Sequence, residues 1–206
     1  MISTQLLSNL MIRSITTFFL FACIGTHVLG QAPKILVAVP ANIKQFIPKG
    51  YEALDLTTGD LNRDAHTDAI LVLYKKGEEK TFDDIDHHEK RPLLVLIGQA
   101  GNTYKLAAKT DNAVYCVSCG GQMGDPFMGV TIKNGYFSVE HYGGSGWRWT
   151  RIVTFKYAPA EHAWFLFKDG GERFHATKPE EVTTEIQTTK NFGKVLLTKF
   201  DIYKDN

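Results

Sequence analysis

The sequence predicts a mainly β protein, an antiparallel meander closing as a sandwich or partial barrel, with a short N-terminal helix. Three observations carry this. Apolar and alternating runs succeed one another without a long helical period between them. Asn134–Gly135 separates two alternating runs, the strongest short hairpin signal a sequence offers. An aromatic content of 12% with 18 glycines leans toward sheet. At 206 residues, 44% hydrophobic and 22% charged, the chain is expected to be one globular domain at 31–206 behind a leader.

The elements follow in order. Residues 42–46 carry a short helix candidate, stopped by Pro48. "AILVLY" (69–74) is a continuous apolar run, as a central strand covered on both faces requires, and "RPLLVLIG" (91–98) is a second. The "GQAGN" turn leads to "TYKLAAK" (103–109), which should pair back as a hairpin. "GVTIKNGYFSVEHY" (129–142) is the Asn-Gly hairpin; "WRWTRIVTFKY" (147–157) is a long strand whose partner is "AWFLF" (163–167). "KVLLTKFDI" (194–202) is a last strand or docking segment. The charged stretch 75–92 reads as a solvated loop; within it His87 and His88 stand among Asp83, Asp84, Asp86 and Glu89, a set able to hold a transition metal.

Residues 1–30 have the order of a secretory leader: Arg13, an apolar run at 18–24, and a small residue before Gln31. The run is far shorter than the ~20 residues of a membrane span, so no transmembrane span is expected in the mature chain. The protein is then exported, periplasmic or extracellular, with a lipid anchor at Cys23 the less favoured variant because Phe21 is bulky for that signal. Removing the leader with its one cation takes the formal charge from +1 to zero. A neutral chain has no electrostatic footprint for nucleic acid. Cys116 and Cys119 remain, in "VYCVSCGG". In an oxidising compartment the pair forms a local disulfide or stays as two thiols; the following Gly120 and Gly121 do not suit a redox helix start.

"GDLNRDAHTDAILVLY" is the most unusual stretch. Asp60, Asn62, Asp64 and Asp68 occupy positions 1, 3, 5 and 9 of a tight loop, and His66 at position 7 offers its backbone carbonyl. An all-oxygen set suits Ca²⁺ better than zinc or copper. An EF-hand is excluded, since position 12 is Leu71 and a strand follows in place of a helix. The segment resembles the calcium loop of VCBS or FG-GAP (integrin-propeller-like) proteins, Asp-x-[Asp/Asn]-x-Asp-Gly-x-x-Asp. That resemblance implies Asp60, Asn62, Asp64 and Asp68 as side-chain ligands. Ala65 stands where the pattern has Gly, which weakens the site. With only one such loop the chain is not a propeller. More of it, including "IPKGY" (47–51), "GGQMGDPFMG" (120–129), "EHYGGSGWRWT" (140–150) and "NFGKVLLTKFDI" (191–202), resembles a group of uncharacterised exported bacterial proteins that carry a single loop of this kind.

The second candidate site is "EHYGGSGWRWT". Trp147 and Trp149, two apart on a strand, share a face, with Arg148 opposite. Glycines before them let a ligand approach the backbone. Trp147, Arg148, Trp149, Tyr142 and Glu140 are the candidate ligand-binding residues, with a glycan or an envelope protein as the partner. Both indoles packing into the core is the competing reading, and a mixed outcome is expected, with Trp147 exposed and Trp149 covered. Catalytic motifs are absent from the sequence: no H-E-x-x-H, G-x-S-x-G or P-loop occurs. Asp125, Glu140 and His141 meet no catalytic spacing, and adjacent strand residues point to opposite faces. The function expected is an exported, non-catalytic, calcium-stabilised β domain that binds a ligand or partner. The alternatives are a secreted hydrolase acting on glycan or cell-wall material and a structural envelope protein.

Overall fold

The computed structural model describes residues 37–64, 66–81 and 89–204. Residues 1–36, Cys23 among them, Ala65, and the Asp83, Asp84, Asp86, His87, His88 group lie outside the described residues. Among the described residues nine strands form two antiparallel meanders. The first sheet contains β1 (Tyr51–Gly59), β2 (Asp68–Lys75), β3 (Leu93–Gln99) and β4 (Thr103–Thr110). The second contains β5 (Phe127–Lys133), β6 (Tyr136–Gly144), β7 (Trp147–Ala158), β8 (Ala163–His175) and β9 (Lys178–Thr188). In each sheet spatial order equals chain order. The sheets remain separate, so the architecture is a sandwich and not a barrel. Among the described residues no helix is long and apolar enough to cross a membrane.

Why the 69–74 run is apolar throughout is visible in what covers it. Ile70 and Val72, with Leu93 and Val95 of β3, face Phe137, Val139, Val153, Phe155, Trp164 and Leu166 of the second sheet. Ala69, Leu71 and Leu73 point the other way, toward Ile43, Phe46 and Tyr51. Ile43 belongs to the short helix, α1 (Ala41–Lys44). Each large apolar side chain buried in this way contributes about 1.5–3 kcal/mol. At β5–β6 the Asn134–Gly135 turn has positive φ at both residues, 53° and 78°, the geometry that makes Asn-Gly the preferred hairpin pair.

The charged stretch 75–92, expected as a solvated loop, departs from that expectation in burying Glu78 and Arg91, which pair with one another. Residues 194–202, expected as a last strand or docking segment, take the second form: Leu196 makes a single bridge to Phe165, and a 3₁₀ turn, Leu197–Lys199, follows. The segment does dock: Leu197, Phe200 and Ile202 are buried, and the Ile202 N–H donates to the Asn112 carbonyl at 2.8 Å. The short helix starts at Ala41 and ends at Lys44, before the expected 46. Strands β1 and β9 and the second half of β8 had no clear apolar alternation to announce them.

The joint between the sheets is ionic. Arg91, just before β3, is fully buried. Its Nη2 donates to Glu78 at 2.5 Å, and Nη1 and Nη2 donate to the two oxygens of Asp125 at 2.6 and 2.7 Å. Glu78 and Arg91 belong to the β2–β3 connection and Asp125 to the β4–β5 connection, so one guanidinium ties the two together. Burial alone would lower the Arg91 pKa, but hydrogen bonds and charge from Asp125 and Glu78 outweigh it and raise it. Breaking a buried ion pair by removing one partner costs about 3–5 kcal/mol. Arg91→Leu should therefore lose stability on that scale in chemical denaturation, and adding Glu78→Gln should restore part of it. An Arg91→Leu protein as stable as the parent would remove the guanidinium from this role.

Candidate functional site

The acidic loop, residues 60–68, packs against the β5–β6 turn: the Gly135 N–H donates to the Asp60 carbonyl at 3.2 Å, and Arg63 Nη2 to the Asn134 carbonyl at 2.9 Å. Asp60 accepts from the Arg63 N–H, and Asn62 Nδ2 donates to Asp64 at 2.7 Å. The His66 N–H, donating to Asp64, holds that carboxyl below its usual pKa. Asp68 differs from the other three. It is buried, with one oxygen accepting from Leu61 N–H at 2.7 Å and the other from Gly98 N–H at 2.9 Å. Burial pushes its pKa up against those bonds. Asp68 thus fastens the start of the loop to the end of β3. Among the described residues no three His, Cys, Asp or Glu side chains are already gathered about one point.

The second sheet extends beyond the first, and its uncovered inner face forms a cleft of about 410 Å³. Strand register builds the floor in rows. Gly143, Trp149, Arg173 and Thr183 are successive cross-strand partners on β6, β7, β8 and β9. The neighbouring row carries Arg151, paired with His141, and Glu185, paired with Gly171. Asp169 and Gln187 form the next. Directly opposed residues share a face, so Trp149, Arg151, Asp169, Arg173, Thr183, Glu185 and Gln187 all look inward.

Glycine makes room for the aromatic residue. A Cβ on Gly143 would lie 2.5 Å from Trp149 Cζ2, so the indole can rest on β6 only because that position has no side chain. Tyr115 meets Trp149 edge-on at 5.7 Å between centroids. Tyr115 is itself fixed at three points. Its carbonyl accepts from Arg91 Nη1 at 3.4 Å, its N–H donates to His141 Nε2 at 3.3 Å, and its hydroxyl accepts from Arg151 Nη1 at 2.7 Å. Arg151 also grips Asp169 through two bonds, 3.0 and 2.7 Å. Cys116 and Cys119 form a disulfide immediately after Tyr115.

The sequence candidates divide between the two sides of the sheet. Trp149 lines the cleft. Trp147 lies on the same face one row outward, 65% exposed, with His175 edge-on at 5.2 Å. Glu140, Tyr142 and Arg148 point to the opposite face: Glu140 is paired with Ile152, Tyr142 with Thr150, and Arg148 with Gly144, while Thr131 Oγ1 donates to Glu140 there. Trp147 and Trp149 thus share a face with Arg148 opposite, as strand alternation predicts, and Glu140 and Tyr142 lie on the Arg148 side. Asp125, Glu140 and His141 are not assembled as an acid–base set. Asp125 is held by Arg91, and Glu140 faces away from His141. The residues that sequence reasoning missed, Tyr115, Arg151, Asp169, Arg173, Thr183, Glu185 and Gln187, lie mostly on β8 and β9. The β-branched content of "VTTEI" was the available signal.

No protein-family model, curated protein or solved structure matches the chain.

His141 gives the site a pH signature. Burial, then the nearby cations Arg151 and Arg91, push its pKa down to about 3, with Asp125 acting in the other direction. The unfolded chain takes up this proton near pH 6.5 and the folded one does not, so the contribution is complete above that pH and fades as pH falls. Between pH 6.5 and 5 the loss should be about 2 kcal/mol. His141→Asn should flatten that part of a stability–pH curve; an unchanged slope would show that His141 does not set it.

Proposed function

We propose that the chain is an exported, non-catalytic β-sandwich that binds a ligand in the β7–β9 cleft and is stabilised by Ca²⁺ on its acidic loop. One observation carries the binding reading. Arg173, Thr183, Glu185 and Gln187 converge on the cleft beside Trp149 and make no side-chain hydrogen bond or ion pair with the described residues, whereas Arg151 and Asp169 are tied to one another. A concave site with an aromatic wall and a few convergent, unused polar groups is what small-ligand recognition needs. Export is supported by the leader-like order of residues 1–30 and by the disulfide, which persists in oxidising compartments.

Support for calcium comes from the resemblance of residues 60–68 to the VCBS/FG-GAP loop and from three hard-oxygen side chains, Asp60, Asn62 and Asp64, on one turn. The His66 carbonyl and Asp68 would complete the set. Binding would replace the exposed Asn62–Asp64 hydrogen bond and neutralise the carboxylates at the entry to β2. A rise in melting temperature with millimolar Ca²⁺, absent in Asp64→Ala, is the expected result; no shift in the parent protein defeats the calcium part.

The cleft is tested separately. Panels of sugars, sugar acids, amino acids and short peptides are titrated into ¹⁵N-labelled mature protein. Binding by at least one class should move the amides of Gly171, Arg173 and Glu185 and weaken in Arg173→Met. Shifts confined to other surfaces, or none, overturn the reading.

A further inference from the structure

We infer that the cleft ligand is a neutral oligosaccharide spanning two adjacent sugar rings, one over Trp149 and one over Trp147; this rests on the cleft being the binding site. Three features of the floor select that chemistry.

The first is charge balance. Arg151 is neutralised by Asp169 at 2.7 Å, and Arg173 has Glu185 as its diagonal neighbour on β9, since Arg173 is paired with Thr183 and Gly171 with Glu185. With Glu172 at the lining as well, three acids stand against two arginines, both signs interspersed, and such a floor has no positive field to concentrate an anionic ligand.

The second is the shape of the unused groups. Guanidinium, carboxylate and carboxamide are planar forks that present two polar atoms side by side. Arg173, Glu185 and Gln187 are one of each. Neighbouring hydroxyls on a pyranose ring offer two oxygens side by side, each both donor and acceptor. They can therefore satisfy the donor-only Arg173, the acceptor-only Glu185 and the mixed Gln187 together. A carboxylate ligand would serve Arg173 and oppose Glu185; an ammonium would do the reverse.

The third is the pair of indoles. Trp149 is held in place by Gly143 beneath it and Tyr115 at its edge, so its orientation is fixed before a ligand arrives, which lowers the entropic cost of binding. Trp147 is 65% exposed on the same face, and an indole left in water beside a polar cleft is a stacking platform without an occupant. Two positions along one strand separate the platforms by about 6.6 Å, a distance that calls for successive rings of a chain and not for one ring.

The experiment is calorimetric titration of the mature protein with gluco-, manno-, xylo- and N-acetylglucosamine-configured hexaoses and their monosaccharides. Hexagalacturonate and a mixed tetrapeptide library are parallel arms, each run at low and high salt. The inference expects one neutral hexaose to bind with little salt dependence and its monosaccharide to bind about tenfold or more weakly. Trp147→Ala, an exposed position that leaves the fold intact, should abolish most of that difference, and Glu185→Gln should weaken both. If only the uronate or a peptide binds, and Arg173→Met weakens it, the cleft reading stands and the neutral-saccharide inference falls. If a neutral hexaose binds but Trp147→Ala changes nothing, the two-ring geometry is wrong. If no arm binds, the inference and the cleft reading fall together.

Discussion

The buried guanidinium of Arg91 is the constraint from which the rest of the arrangement follows. A cation in the interior is tolerable only when its hydrogen bonds and its charge are both answered, and here the answering groups come from two connections, β2–β3 and β4–β5. Glu78 follows the central strand of the first sheet, Asp125 opens the second sheet, and the Tyr115 carbonyl belongs to the segment between them. The second carboxylate would leave a net negative charge inside. It does not, because Asp125 sits at the edge of the cluster with 35% of its side chain exposed, where water screens it. The two meanders are thus related by one hub as well as by their shared apolar core.

From the hub the order passes to the cleft through one residue. Tyr115 takes Arg91 on its carbonyl and Arg151 on its hydroxyl, and its ring stands edge-on to His141, Trp149 and Tyr203. Arg151 and Asp169 then make the polar end of the cleft floor. The Cys116–Cys119 disulfide closes the turn that follows, and Gly120 beyond it accepts from the Gly144 N–H at 2.9 Å, next to the glycine on which Trp149 rests. Arg173 and Glu185 make no side-chain bond with the described residues, whereas Arg151 and Asp169 beside them are paired with one another. Supporting groups locked by their own bonds are the general requirement for a preorganised site.

Much of the fold could be read in advance, since its strands carry their own pattern. The run at 69–74 is apolar on both sides because both sides are covered, and the Asn134–Gly135 turn is written in its dipeptide. The cleft was only half legible. Trp147 and Trp149 stood out by type and spacing, and their shared face followed from alternation. Tyr115 did not stand out, because its importance lies in three contacts to residues 24, 26 and 36 positions away, which no local pattern encodes. Strand β9, "KPEEVTTEIQT", is exposed along almost its whole length. With neither face in the core it has no apolar period, and its residues Thr183, Glu185 and Gln187 were invisible as a set. The acidic loop was legible as a motif, but the separate role of Asp68, bonded to two backbone N–H groups, depends on the distant Gly98.

The claim that the Arg91 hub positions Tyr115, and through it the cleft, is tested most directly by a double-mutant cycle between Asp125→Asn and Tyr115→Phe, read by chemical denaturation. Asp125→Asn loosens the hub at its exposed edge, and Tyr115→Phe removes only the hydroxyl that accepts from Arg151. The two altered groups do not touch one another. If the hub positions the ring, losing the hydroxyl costs less once Asp125 is changed, with a coupling of about 0.5–3 kcal/mol. Two costs that simply add, within about 0.3–0.5 kcal/mol, would mean that the cleft is organised independently of Arg91.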